Sequence, residues 1–284
     1  FGARFGDVGQ GLILFLGGLF LYKTKHMDLA GIISCAGVFS VFFGFMYGSF
    51  FGFEDVLKAI WLKPMNQMMD VPLVGRLNAV FVIAIGFGMF IILICMIFNI
   101  INSIRNKDTE KAWFDSNAVA GLVFYGSIVL TVGLFISGRK LPATAVLVVM
   151  FGVPLLLMFL KEPLTNLVEK KSEIFPEQKG MFFVQSFFEL FEVLLSYLSN
   201  TLSFLRIGAF AVSHAAMMEV VLMLAGATNG GSPNWIVVVL GNIFVCAMEG
   251  LIVGIQVLRL EYYEIFSRFY AGNGREFQPF MKTL

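Results

Sequence analysis

Charge is what this sequence is shortest of: Asp, Glu, Lys and Arg make up 14% of its 284 residues, against 58% apolar ones. A soluble domain carries about 25% charged residues, so roughly half the charge needed to clothe a surface in water is missing. The chain is read as an integral membrane protein. Its few charges also balance, 20 Lys and Arg against 19 Asp and Glu, which removes both a basic field for nucleic acid and an acidic one. Cysteine is scarce too. Cys35, Cys95 and Cys246 lie inside apolar runs at unrelated spacings, with no CxxC and no Cys/His pattern, so neither a disulfide framework nor a metal site is expected. Walker A, HExxH and GxSxG signatures are missing. The Gly-rich stretch 6–11 (GDVGQG) lacks the strand–turn–helix setting of a phosphate loop and reads as a tight turn between membrane helices. No cofactor and no catalytic site of the chain's own are expected. The sequence starts at Phe1 without an initiator Met or a leader, and is read as the ordered part of a longer chain.

What is present in excess is long apolar runs. A helix crossing about 30 Å of hydrocarbon needs about 20 largely apolar residues. About seven such runs occur, near 8–22, 29–53, 77–102, 117–138, 141–161, 181–226 and 235–266. The fold class is therefore an all-α polytopic membrane protein of about seven to eight transmembrane helices, the last two long and strongly tilted. The 181–226 run would reach about 69 Å as one helix, so it must tilt, project into water or break. Alternate loops hold twelve Lys and Arg on one side and six on the other. The positive-inside rule puts the C-terminus and the 162–180 loop in the cytoplasm and 227–234 outside. It also puts Phe1 outside, with a preceding helix entering from the cytoplasm and turning at Gly6-Asp7. Three parts result: a bundle over 1–161, a cytoplasmic loop over 162–180 containing Pro163 and Pro176, and a polar-rich helix pair over 181–284 with a cytoplasmic tail.

Residues 1–161 keep their charges almost wholly in loops, and the last two runs do not. Charge near the bilayer centre is costly and marks pathways or pairs. Arg206 lies among long apolar stretches, and a guanidinium stays protonated at any accessible pH. At 100° per residue Glu192, Ser199 and Ser213 fall within about 40° of it and Ser203 at about 60°, one polar stripe on an otherwise apolar helix. In the last run Asn242, Glu249 and Gln256 recur every seven residues; Arg259 and Tyr263 are expected to continue that face. Glu249 is the acid deepest in this helix, and Arg259, ten residues and about 15 Å away, is too far to pair with it. His214 and Glu219 lie beyond Arg206 toward the outside. Glu189 and Glu192 lie toward the cytoplasmic end and read either as a vestibule or as solvated interfacial residues. Phe and Met are read as lipid-facing bulk, and the pairs Gly17-Gly18 and Gly86 with Gly88 as close helix packing.

The segment 198–215 (LSNTLSFLRIGAFAVSHA), followed by 248–280 (MEGLIVGIQVLRLEYYEIFSRFYAGNGREFQPF), closely resembles the membrane domain of the stator subunit, called a or I, of V-type and A-type rotary ATPases. FGDVGQG at 5–11 and PLLLMFLKEPL at 154–164 resemble that family too, so the likeness runs nearly end to end. Family members often carry Trp-Ala-Leu-Ser-Leu where this chain has Gly208-Ala209-Phe210-Ala211-Val212. The short loops look bacterial or archaeal, which implies a cell membrane rather than a eukaryotic vacuole. The resemblance implies a large N-terminal cytoplasmic arm, not included here, that meets the peripheral stalk. It also implies two tilted helices against a rotor ring of proteolipid subunits (c or K), each with one ion-binding carboxylate. Arg206 then matches the essential arginine and Arg259 the second one, while His214, Glu219 and Glu249 lie on or near the positions lining two half-channels for H+ or Na+.

Two other readings compete. A self-contained secondary transporter with Arg206 binding an anionic substrate would carry inverted repeats and Gly/Pro-broken helices at its site, and neither is seen around Arg206 or Arg259. An inert membrane anchor leaves the concentration of ionisable residues in the last two helices unexplained.

Overall fold

The computed structural model describes residues 1–53, 57, 59–61, 68–71, 75–106, 112–139, 142–168, 179–227, 233–270 and 272. Helices occupy all seven apolar runs. They are α1 (Val8–Lys25), α2 (Asp28–Tyr47), α3 (Ala79–Arg105), α4 (Val119–Ile136), α5 (Thr144–Phe159), α6 (Lys161–Val168), α7 (Lys179–Ser203), α8 (Leu205–Leu224) and α9 (Trp235–Leu260). The last continues as a π-helical segment (Glu261–Phe266) and a final turn, α10 (Ser267–Phe269). Among the described residues five spans are long and apolar enough to cross a membrane, and α5 with α6, bent by 73°, makes up to six. The chain is an all-α polytopic membrane protein, apart from one short hairpin, β1 (Met68–Val71) with β2 (Gly75–Asn78). α1 carries Gln10 and ends in Lys23 and Lys25, and it is not among the qualifying spans. The loop expected at 162–180 begins instead with α6, where Pro163 sits in the first turn, a position whose missing N–H is harmless. The calls on 169–178, on 228–232 and on the tail beyond 272 lie outside the described residues.

Polar caps start the helices. Asp7, Asn78 and Asn234 accept backbone N–H bonds from Gln10, Val80 and Ile236, at 3.0, 3.1 and 3.2 Å, supplying acceptors for the orphan donors of α1, α3 and α9. α1 and α2 lie antiparallel at backbone contact. A Cβ on Gly44 would stand 2.4 Å from the Val8 nitrogen and one on Gly37 2.5 Å from the Phe15 nitrogen, so only glycine permits this seam. Of the glycine pairs, Gly18 and Gly88 sit at contacts while Gly17 and Gly86 face open space.

α3 is the central post. Its Met89, Ile92 and Met96 form one core with Phe124 and Tyr125 of α4, Met158 of α5, Tyr197 of α7, Phe204 and Leu260. Phe20, Ile32, Phe188 and Phe244 face outward at 60% exposure or more, as expected where the solvent is lipid rather than water.

α7 and α8 form one 45-residue run, Gly180–Leu224. It is interrupted only at Phe204, where the Phe204 and Ile207 nitrogens bond three residues back, to Thr201 and Phe204. The fully buried Phe204 ring fills the notch left by Gly88, whose missing Cβ would lie 2.1 Å from its Cγ. The long run thus overwinds for one turn, two residues before Arg206, rather than breaking. α9 and its extension make a 35-residue run.

Candidate functional site

α8 and α9 pack antiparallel, with Val221 in the space a side chain on Gly241 would occupy. Along their seam runs a row of buried polar groups. At one end Gln10 Nε2 donates to Asn242 Oδ1 at 2.8 Å, with the Met218 sulfur at 3.4 Å, and Asn242 Nδ2 donates to the Val238 carbonyl at 3.0 Å. Seven residues along α9, about 10 Å, Glu249 Oε2 meets His214 Nδ1 at 2.5 Å. Both side chains are almost fully buried, at 2% and 4% exposure, and the His214 ring lies 5.1 Å from that of Phe5. A further about 10 to 12 Å in the same direction come Gln256 on α9 and Arg206 on α8. The row ends where Ser203 donates to Glu264 Oε1.

Many atoms of this row have no hydrogen-bond partner: Gln10 Oε1, His214 Nε2, Glu249 Oε1, Gln256 Oε1, Arg206 Nη1 and Glu264 Oε2. Arg4 adds another, its Nη1, with its guanidinium carbon 5.8 Å from the Phe210 ring. Burial pushes the Arg4 guanidinium down to about 10, aided by the nearby positive charge of Arg206 and opposed by Glu264. Arg4 stays charged at neutral pH, so two guanidinium groups and one buried carboxyl share this end of the row.

The structure thus brings together Asn242, Glu249, His214, Gln256, Arg206 and Ser203. It separates the others. Glu192, Ser199, Ser213 and Glu219 are exposed on the outer faces of α7 and α8, and the tight turn at Phe204 takes Ser203 inward instead. Glu189 is bonded to Lys161. Arg259 and Tyr263 do not continue the Asn242 face as expected: both are exposed, and Leu260, Glu264 and Arg268 take the buried positions. Heptads on a straight helix drift by about 20° each, and the π-helical segment shifts the register further.

Sequence reasoning missed four members, Arg4 among them. Glu264 is buried and engaged, and Gln10 anchors the far end. Asp7, read only as part of a turn, is fully buried: besides the Gln10 N–H it accepts from Ser49 Oγ at 2.8 Å and from the Phe51 and Gly52 nitrogens at 3.0 and 2.9 Å. Its position just before an apolar run is the ordinary helix-start signal.

A polytopic membrane protein with a buried, partly unsatisfied polar row along its two longest spans is the class these features define. Residues 158–282 match the model of the V-type ATPase 116 kDa subunit family. A-type ATP synthase subunit I of Aeropyrum pernix is 27% identical over 98% of this chain and 45% of its own length. The same subunit of Pyrococcus horikoshii is 26% identical over 99% and 41%. Human V-type proton ATPase 116 kDa subunit a 3 is 31% identical over 39% of this chain and 15% of its own length. The chain is thus similar to this family over 158–282 by the family's model, and over nearly its whole length to the archaeal subunits I. It spans less than half the length of the archaeal relatives it matches.

Proposed function

We propose that this chain is the membrane part of a rotary ATPase stator. It forms two offset half-channels by which H+ or Na+ reaches and leaves the carboxylates of a proteolipid ring. The observation that carries the reading is the polar row itself. Six buried polar atoms on or beside two membrane spans have no protein partner, and such groups are retained where water or a moving ion satisfies them. The His214–Glu249 contact suits the outer half-channel, because a buried carboxyl against an imidazole can hand a proton across. Ser203 with Glu264 suits the inner one.

Arg206 lies between these two groups. An ion entering from one side neutralises a ring carboxylate, and the neutral site turns through lipid because its charge no longer has to be desolvated. On meeting the permanent charge of Arg206 the carboxylate ionises and releases its ion to the other side. The same guanidinium blocks a cation from passing straight between the half-channels. Arg259 is exposed on α9, and Glu192, Ser199, Ser213 and Glu219 on α7 and α8. Polar groups outside a membrane span suit a protein partner better than lipid, which supports a ring against this face. The 45-residue run is far longer than a perpendicular crossing, consistent with strong tilt. With α1 counted beside the five or six qualifying spans, the described residues supply six or seven of the seven to eight spans.

The test is Arg206→Ala in the assembled complex. It is expected to leave assembly and ATP binding intact and to abolish ATP-driven ion uptake into reconstituted vesicles. Retained coupled uptake would overturn the proposal.

A further inference from the structure

A third guanidinium, buried, lies past the polar row, at the end of the last helical run. Arg268 is 6% exposed. Its Nη1 donates to Asn117 Oδ1 at 2.9 Å, its guanidinium carbon stands 5.8 Å from the Tyr197 ring, and its Nε has no partner. Its neighbours are themselves bonded. Asn99 Nδ2 donates to the Asn117 carbonyl at 3.0 Å, and Asn102 Nδ2 donates to the Phe269 carbonyl at 3.4 Å. The ion pairs among the described residues, Lys161–Glu189 and His214–Glu249, do not include Arg268. Glu264, four residues back on the same buried face, acts on Arg268 through space without an ion pair, its Oε1 accepting from Ser203, and Asp115 lines a neighbouring recess with Lys161 and Glu189.

Arg268 borders a cavity of about 200 Å³ whose other polar lining is Ser116, Asn117, Ser196, Asn200 and Ser267. Every polar side chain there is a hydroxyl, an amide or the guanidinium, and none is an acid. Ser196 and Ser267 are exposed and form the mouth. A buried cation with no ion-pair partner is costly, and a guanidinium fork matches phosphate as well as carboxylate geometry bidentately. Hydroxyls and amides can donate to the oxygens the fork leaves over. With a water filling about 30 Å³, the cavity has room for one oxyanion and bridging water.

We propose that this cavity binds a phosphate group, with Arg268 as its counter-charge. The group comes either from the headgroup of an anionic phospholipid or from free phosphate. The binding does not depend on the ion path, so the failure of either reading leaves the other standing.

The experiment uses the assembled complex, delipidated in detergent, in two arms. In the first, phosphatidylglycerol or phosphatidylcholine is added back and bound lipid is counted by native mass spectrometry. In the second, thermal unfolding is followed with and without inorganic phosphate at matched ionic strength. Retention of phosphatidylglycerol over phosphatidylcholine assigns the lipid source, and protection by phosphate alone assigns the free ion. Either way Arg268→Gln is expected to weaken binding about tenfold or more, the worth of a charge-assisted hydrogen bond, and Arg268→Lys to weaken it less. Ser196→Ala with Ser267→Ala alters only the mouth and is expected to weaken binding several-fold; it decides the matter if Arg268→Gln fails to assemble. Unchanged binding in these variants, or no binding of either probe to the wild-type complex, overturns the proposal.

Discussion

The His214–Glu249 contact makes the sharpest energetic prediction. Each side chain is almost wholly buried, each has its other polar atom unpartnered, and they meet at 2.5 Å. Removing one partner leaves the other in the interior with none of its hydrogen bonds. His214→Leu and Glu249→Leu are each expected to cost about 1–3 kcal/mol, the penalty of stranding a buried polar group. The double variant removes both stranded groups. It should therefore fall short of the sum of the singles by about 1.5–3 kcal/mol, the range for hydrogen bonds to charged groups. Unfolding by SDS in mixed lipid–detergent micelles at neutral pH measures all four corners of the cycle. Additivity within about 0.5 kcal/mol would refute a direct, structurally significant contact between these residues.

Three further outcomes are expected from the packing. Gly88→Ala puts a Cβ 2.1 Å from the Phe204 ring and is expected to cost about 1–3 kcal/mol by overpacking; Phe204→Leu in the same chain should recover part of that loss in the same SDS titration. Gly44→Ala meets backbone at 2.4 Å while Gly17→Ala meets nothing within 4 Å, so the first should disrupt the α1–α2 seam and lower the unfolding midpoint, and the second should be neutral or stabilise by up to about 1 kcal/mol. Asp7→Asn turns one acceptor oxygen into a donor facing donors, either Ser49 Oγ and Gly52 N or Gln10 N and Phe51 N, and is expected to cost about 2–4 kcal/mol, read as faster proteolysis between α2 and β1.

The seven apolar runs were legible because lipid demands one simple property, about 20 apolar residues in a row, and each run became a helix within a few residues of its expected limits. The site was legible only in part. Arg206, His214, Glu249 and Asn242 stand out as polar residues in apolar surroundings, but the pairing of His214 with Glu249 depends on how α8 and α9 are set against each other, which no local pattern encodes. Arg259 illustrates a different loss. On a straight helix Gln256 has drifted about 40° from Asn242, which places Arg259 about 100° away and Leu260 back on the same line. Extending the face from Gln256 by three residues instead of four therefore chose the wrong side. Glu264 was hidden further by the π-helical segment, whose wider turn follows no sequence period. The hairpin at 68–78 was concealed by its length, since two four-residue strands fall below what apolar patterning can distinguish from a loop.

The two backbone irregularities have a common location and a common consequence. In the α7–α8 run the turn at Phe204 is overwound, with bonds three residues back; in the last run Glu261–Phe266 is underwound into π-helix. They face each other, because Ser203, at the edge of one, donates to Glu264 inside the other. Each departs from the α-helical ladder within five residues of an intramembrane arginine, Arg206 in one case and Arg259 in the other. Away from this level α8 and α9 are regular. Non-helical backbone in a membrane protein is tolerated only where it is buried in protein or lines a hydrated space, and π-helical turns persist mostly at functional sites. Straightening both would return Ser203 and Glu264 to α-helical phase and take the hydroxyl away from the carboxyl, leaving two buried polar groups apart. The irregular turns are therefore the structural device that gathers the Glu264 end of the polar row, and the two arginines stand on the regular helix immediately beside it.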